Sequence, residues 1–126
     1  MKIIIRGQVP AQKNSKSIAY NRATGKPFIM SNKNVKDWQE LAQLQLNQVK
    51  PSEPLEGRHS IEIMFYLKDN RRRDIDNMLT TIQDALVKAE ILLDDSWKNL
   101  KVGNLDARLD KDNPRAEIEL TKVKDL

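Results

Sequence analysis

The segment His59–Leu67 alternates strictly, with Ile61, Ile63, Phe65 and Leu67 on one side and Glu62, Met64 and Tyr66 on the other. A period of two over this length specifies a strand with one buried face, so any fold for the chain must supply a sheet and something to cover it. The cover is legible on both sides of the strand. Val35, Trp38, Ala42, Leu46 and Val49 recur at helical spacing after Ser31 or Asn32, either of which can serve as an N-cap, and Pro51 and Pro54 end the run. A second helix is predicted from about Asp76 to Ala89, with Leu79, Ile82, Leu86 and Ala89 as its stripe and Met78 and Ala85 beside it.

Four further segments complete the pattern. Lys2–Val9 reads as a strand closed by Pro10, and Pro27–Met30 as a short return strand. Leu100–Leu109 and Arg115–Val123 read as two more strands, joined by a turn at Asp110–Pro114. Ala11–Lys26 is polar and rich in turn signals, which predicts a long loop or an irregular hairpin. The order of elements predicts an α+β fold, helices packed against a mixed sheet, in a single domain spanning residues 1–126.

Composition then narrows the chemistry. The chain has no cysteine and one histidine, His59, so disulfides, Cys-based zinc sites and a His-rich metal site are excluded. Hydrolytic chemistry has to come from carboxylates, lysines or hydroxyls. No apolar run approaches the ~20 residues of a membrane span, and the first residues read as a strand and not as a signal peptide, which makes a cytoplasmic protein the default. Charge is unevenly placed. Lys2, Arg6, Lys13, Lys16, Arg22, Lys26, Lys33 and Lys36 all precede Asp37, the first acidic residue of the chain, while the net charge is only +4. A basic arm on an acidic body suits a polyanionic partner, although a solvated basic loop would look the same.

Chemistry concentrates in Arg71-Arg72-Arg73-Asp74-Ile75-Asp76-Asn77. Two carboxylates two residues apart in extended backbone point to one side. Mg²⁺ takes oxygen ligands, typically one or two carboxylates with waters and substrate phosphates, and adjacent arginines can hold a phosphate beside it. The competing reading is helix capping, since Asp and Asn before an apolar run are favoured caps and suit the macrodipole. Asp94-Asp95-Ser96 follows the second helix and is equally ordinary turn chemistry. A helix of about 14 residues is roughly 20 Å long, so spacing alone does not bring the two acidic groups together.

The block Arg73-Asp74-Ile75-Asp76-Asn77, then Asp84-Ala85-Leu86, then Asp94-Asp95-Ser96 resembles the signature of the RusA-type Holliday junction resolvases. Lys13-Asn14-Ser15-Lys16 and the closing strand pair are similar to that family's layout. The resemblance implies a homodimeric endonuclease that depends on Mg²⁺, or on Mn²⁺ in its place, and resolves four-way DNA junctions in recombination and repair. It further implies Asp74, Asp76 and Asp95 as catalytic, metal-binding residues, Asp94 as a supporting acid, and Arg71, Arg72, Arg73, Lys13 and Lys16 as DNA contacts. One position departs: members often carry a lysine four residues after the second aspartate, where this chain has Thr80. A hydroxyl cannot supply positive charge to the transition state, which bears on turnover more than on metal binding.

Other candidates read more simply. Trp38 lies on an apolar stripe and is expected in the core, and His59 is expected to be structural. Trp97 follows the Asp94–Asp95 pair and could stack on a base or pack under the site, of which packing is the expectation. Tyr20 and Phe28 flank the basic arm and could stack on bases. Three rivals stand beside the resolvase expectation: a nuclease for flaps or single strands, a junction binder without turnover, and a protein in which every motif is only a cap or turn.

Overall fold

The computed structural model describes residues 1–11, 16–20, 22–31 and 33–124, with the backbone alone described at 16–20 and 28–31. The elements in chain order are β1 (Lys2–Arg6), β2 (Lys16–Tyr20), β3 (Pro27–Ser31), α1 (Lys33–Asn47), β4 (His59–Leu67), α2 (Ile75–Lys88), β5 (Leu100–Leu109) and β6 (Arg115–Lys122). The alternating segment is β4, and it lies inside a four-stranded sheet of order β1-β6-β4-β5. Antiparallel pairing joins β1 to β6 and β6 to β4, whereas β4 and β5 run parallel, with α2 as the crossover between them. The sheet is therefore mixed and the fold α+β, as expected.

One face of the sheet carries the core. Ile3, Ile5, Ile61, Ile63, Phe65, Ala116, Ile118 and Leu120 meet Trp38, Ala42 and Leu46 of α1 and Met78, Ile82 and Leu86 of α2 in one cluster of buried side chains. Both helical stripes are thus confirmed, except that Val49 lies beyond α1 and is exposed. The opposite face keeps Glu62 and Glu119 in solvent.

Three departures from the sequence expectation have local causes. Strand β1 stops at Arg6 because Gly7 turns to φ +108°, and its N–H bonds the Pro114 carbonyl at 2.9 Å; Val9 is buried all the same. In the stretch expected to be a loop or irregular hairpin, β2 pairs with β3 as a regular antiparallel hairpin, Lys16 opposite Ser31. The register of β4 and β5 slips between Ile61 and Ile63. Gly103 sits at that irregularity, where an added Cβ would come within 3.2 Å of the Ile61 carbonyl.

The C-terminus of α2 sets the course of the chain. Glu90 takes the left-handed conformation at φ 61°, its N–H bonds the Val87 carbonyl, and the Ile91 N–H bonds the Leu86 carbonyl. This is a Schellman closure, with the accompanying apolar contact available from Leu86 and Ile91, both fully buried. Leu92 is buried next, so the chain returns along the core, and Leu93 emerges into solvent.

Candidate functional site

The loop from β4 to α2 is held by its own ion pair. Arg73 donates from Nη1 to the Asp69 carboxylate at 2.8 Å and also reaches the backbone carbonyls of Asp69 and Arg71. The Arg73 hydrogen bond, followed by one from the Arg71 N–H, holds the Asp69 carboxyl below its ordinary range. Arg73 is only 13% exposed and is committed to shaping this loop. Arg71 is 82% exposed, its nearest acidic atom being Asp69 Oδ2 at 3.9 Å. Arg72 is exposed and makes no ion pair among the described residues. The three arginines expected to act alike therefore divide into one brace and two outward cations.

Asp74 stands at the N-cap position of α2 in extended backbone, but its side chain makes no capping hydrogen bond. Its Oδ2 accepts a long contact of 3.5 Å from Asn77 Nδ2. Asp76 follows in the first turn, and both aspartates are exposed. Arg73, Asp74, Ile75, Asp76 and Asn77 together line one shallow cleft. Capping, the competing account of Asp74, is thus satisfied in position but not in bonding. Thr80 is exposed one turn on, and its hydroxyl donates to the Asp76 carbonyl at 3.0 Å. Thr81 is buried, and its hydroxyl lies 2.7 Å from the Pro10 carbonyl, which fixes the root of the N-terminal arm against α2.

Asp94 and Asp95 have different duties. Asp94 Oδ1 accepts from the Ser96 N–H and from Asn99 Nδ2, each at 2.8 Å. The Asn99 bond first, and then those from Ser96, hold its carboxyl below the ordinary range. Asp95 is exposed, with no side-chain bond among the described residues. Trp97, expected to pack beneath this turn, is instead 63% exposed. The turn is closed by the hydrogen bonds of Asp94.

Topology separates the two acidic groups. Asp74 follows the C-terminal end of β4, whereas the Asn99 carbonyl accepts from the His59 N–H at the other end of the parallel pair. Helix α2 runs between these ends, a span of roughly 20 Å for a helix of its length. The cleft at Asp74 and Asp76 is accordingly not lined by Asp95. Among the described residues, no three acidic or histidine side chains form a ready metal-binding group. Lys13 lies outside the described residues, and Lys16 opens β2 with only its backbone described, as is also true of Tyr20 and Phe28. His59 is buried with Nδ1 3.1 Å from the Gly57 carbonyl, and Trp38 is in the core, both as expected.

A small α+β domain that presents exposed carboxylates among arginines at the mouth of a β-α-β unit has the equipment of a phosphodiester-cleaving protein. The chain belongs to the endodeoxyribonuclease RusA family, whose sequence profile matches residues 8–121, nearly its whole length. A comparison with individual curated proteins gave no match. Among the described residues, no helix is long and apolar enough to cross a membrane.

Proposed function

We propose that this protein is a Mg²⁺-dependent endonuclease that resolves four-way DNA junctions by paired, symmetric nicks and works as a homodimer in the cytoplasm. The observation that supports it most is Asp74 at the N-cap of α2 without a capping bond, beside Asp76, on a member of an endodeoxyribonuclease family. Two exposed carboxylates whose oxygens are not consumed by the fold suit a hard divalent cation, which prefers such ligands and keeps several waters. Asp74 and Asp76 would hold the ion, and Asp95 would be the third ligand. When bound, the ion supplies a water of lowered pKa and a clamp on the scissile phosphate.

The remaining work belongs to the chain. Asn77 orients Asp74, and the Arg73–Asp69 brace sets the loop so that Arg71 and Arg72 can grip phosphates on either side of the cleft. Asp94 holds the turn that aims Asp95. Lys13 and Lys16 would add contacts from the arm, and affinity resting on such cations falls steeply with salt.

The dimer is part of the mechanism in this reading. Asp95 lies at the far end of α2 from the other two acids, so one protomer does not gather all three. A two-fold axis can set the Asp74–Asp76 end of one protomer against the opposite end of the other, making two equivalent sites, each completed by Asp95 of the partner subunit. Two such sites match a two-fold symmetric substrate.

A junction binder without turnover is the second reading, and Thr80 is what favours it: the hydroxyl is bonded to the Asp76 carbonyl, and no charge stands at that position. Cleavage of a synthetic four-way junction, a flap and a linear duplex, with Mg²⁺ or EDTA, separates these accounts. Paired nicks in the junction alone, abolished by EDTA and in Asp76→Asn, are expected. Junction binding with no nicking in any condition would leave the second reading, and nicking confined to flaps would replace the substrate.

A further inference from the structure

The turn that carries Asp95 also carries an aromatic for which the fold has no use. Trp97 is 63% exposed and Leu93, on the other side of the acids, is 60% exposed, whereas Trp38 is buried at 6%. The backbone that carries Trp97 is held on both sides by hydrogen bonds. Arg58 Nε donates to the Trp97 carbonyl at 2.9 Å. Asp94 closes the turn before it through Ser96 and Asn99, and the Asn99 and Leu100 N–H groups both bond the Ser96 carbonyl. The Asn99 carbonyl is then tied to His59 at the start of β4. A solvent-facing ring on a fixed backbone has only its two side-chain torsions to lose when something stacks on it.

Its surroundings indicate what stacks. Lys98 is adjacent in the turn, Lys101 pairs with Ser60, and Lys122 pairs with His59, which places all three at the same end of the sheet as Trp97. All three are exposed, and none makes an ion pair among the described residues. Arg58 joins the same end, its carbonyl accepting from the Val123 N–H. Lys122 pairs with the buried His59 on the core side and Lys101 with Ser60 on the opposite face, so the cations flank both faces of the sheet end that carries the ring. An exposed aromatic at such an end can take a base while the cations take phosphates.

We propose that Trp97, with Lys98, Lys101 and Lys122 at the same end of the sheet, is a second DNA-binding surface on which a base left unstacked at the branch point of the substrate packs. The inference rests on the nuclease reading and adds to it. The cations of that reading lie in the arm and the β4–α2 loop, whereas this surface lies at the other end of α2. It gives the protein a means of preferring branched DNA over duplex, because a base face is open to an aromatic ring only where the helical stack is interrupted.

Trp97 reports on itself, since the other indole is in the core. Intrinsic emission is followed while the full-length protein is titrated in EDTA with a synthetic four-way junction or with a duplex of the same sequence, and subtraction of the Trp97→Phe spectrum isolates the signal. The junction should quench Trp97 emission and the duplex should not. Trp97→Ala should weaken junction binding roughly 5- to 100-fold with little change for duplex, and Trp97→Phe should restore most of it. Replacing Lys98, Lys101 and Lys122 together by alanine should reduce the salt slope of junction binding by about 0.9 for each phosphate that is no longer neutralised.

Unchanged emission at saturating junction, or undiminished affinity in Trp97→Ala, would overturn the surface while leaving the nuclease reading intact. A blue shift that follows protein concentration without DNA, with Trp97→Ala altering the sedimentation of the free protein, would overturn it in favour of an interface between copies of the chain. Failure of the wild-type protein to bind any branched DNA would overturn the nuclease reading itself, and this inference with it.

Discussion

Asp74 and Asp94 are both acids at the ends of a helix or turn, yet only one is used as such a residue usually is. Asp94 spends Oδ1 on two hydrogen bonds that shape its turn, whereas Asp74 occupies a cap without capping. Their substitutions should therefore differ in kind. Asp76→Asn, like Asp74→Asn, removes nothing that holds the fold and should change stability by no more than about 0.5 kcal/mol in denaturant melts. Junction nicking should nevertheless fall by more than about 100-fold, the upper range for loss of an outer-shell metal partner. Asp94→Ala should act on stability, and with a definite pH signature. The Asp94 carboxyl is held below its ordinary 3.8 in the folded state, so the unfolded chain takes up that proton first. Its contribution is complete above about 3.8 and is lost as the pH falls through the folded value. Acid titrations of stability should thus show a shallower decline in Asp94→Ala than in the wild type. The arginines divide similarly: Arg72→Ala should lower DNA affinity and its salt dependence at unchanged Tm, while Arg73→Ala, which removes the brace on Asp69, should lower Tm.

At the scale of elements, α2 decides most of what the site can be. Its stripe of Met78, Ile82, Ala85 and Leu86 presses on the sheet, and Leu86 is fully buried. Leu86→Ala should cost about 2–5 kcal/mol in chemical denaturation, the range for emptying such a position. The Schellman closure that follows places a non-glycine residue, Glu90, in the left-handed region. Glu90→Gly should raise stability by roughly 0.5–1 kcal/mol, because relief of backbone strain exceeds the added freedom of the unfolded chain. That change would be read as a rise in Tm with no effect on nicking, since Glu90 touches neither acidic group. Thr80 belongs to this scale too. Exposed one turn beyond Asp76, it is a place where Thr80→Lys would put a cation next to the cleft, and a gain in nicking rate without a gain in junction affinity is expected.

The whole molecule raises the question that a single protomer leaves open, how Asp95 reaches Asp74 and Asp76 across the length of a helix. If Asp95 of the partner subunit completes each site, two inactive variants should rescue one another. Mixed dimers of Asp76→Asn with Asp95→Asn would contain one intact site and one doubly damaged one. Nicking should return to about a quarter of the wild-type level, as single nicks and not paired resolution, given random exchange between two-fold dimers. Sites built within one chain would remain inactive on mixing, and that result would remove the shared-site account. The same dimer would present two copies of the Trp97 surface, in register with the symmetry of the junction.

Much of this protein was legible before any coordinates. Apolar periods of two and of 3.6 located β4, α1 and α2 almost to the residue, because a one-sided core imposes those periods on whatever covers it. The motif around Asp74 and Asp76 was legible for a similar reason, since residues close in sequence on one element are close in space. Other features had no local signal. The return strand at Pro27–Met30 was legible, but its regular pairing with β2, which lies in a polar stretch, was not, and the division of Arg71, Arg72 and Arg73 depends on where Asp69 lies. The exposure of Trp97, in a turn closed by the hydrogen bonds of Asp94, was likewise visible only in the structure. Most consequentially, the parallel pairing of β4 with β5 sent Asp95 to the opposite end of α2 from its expected partners. Strand direction is set by long-range pairing and not by residue spacing, so only the tertiary structure could decide it.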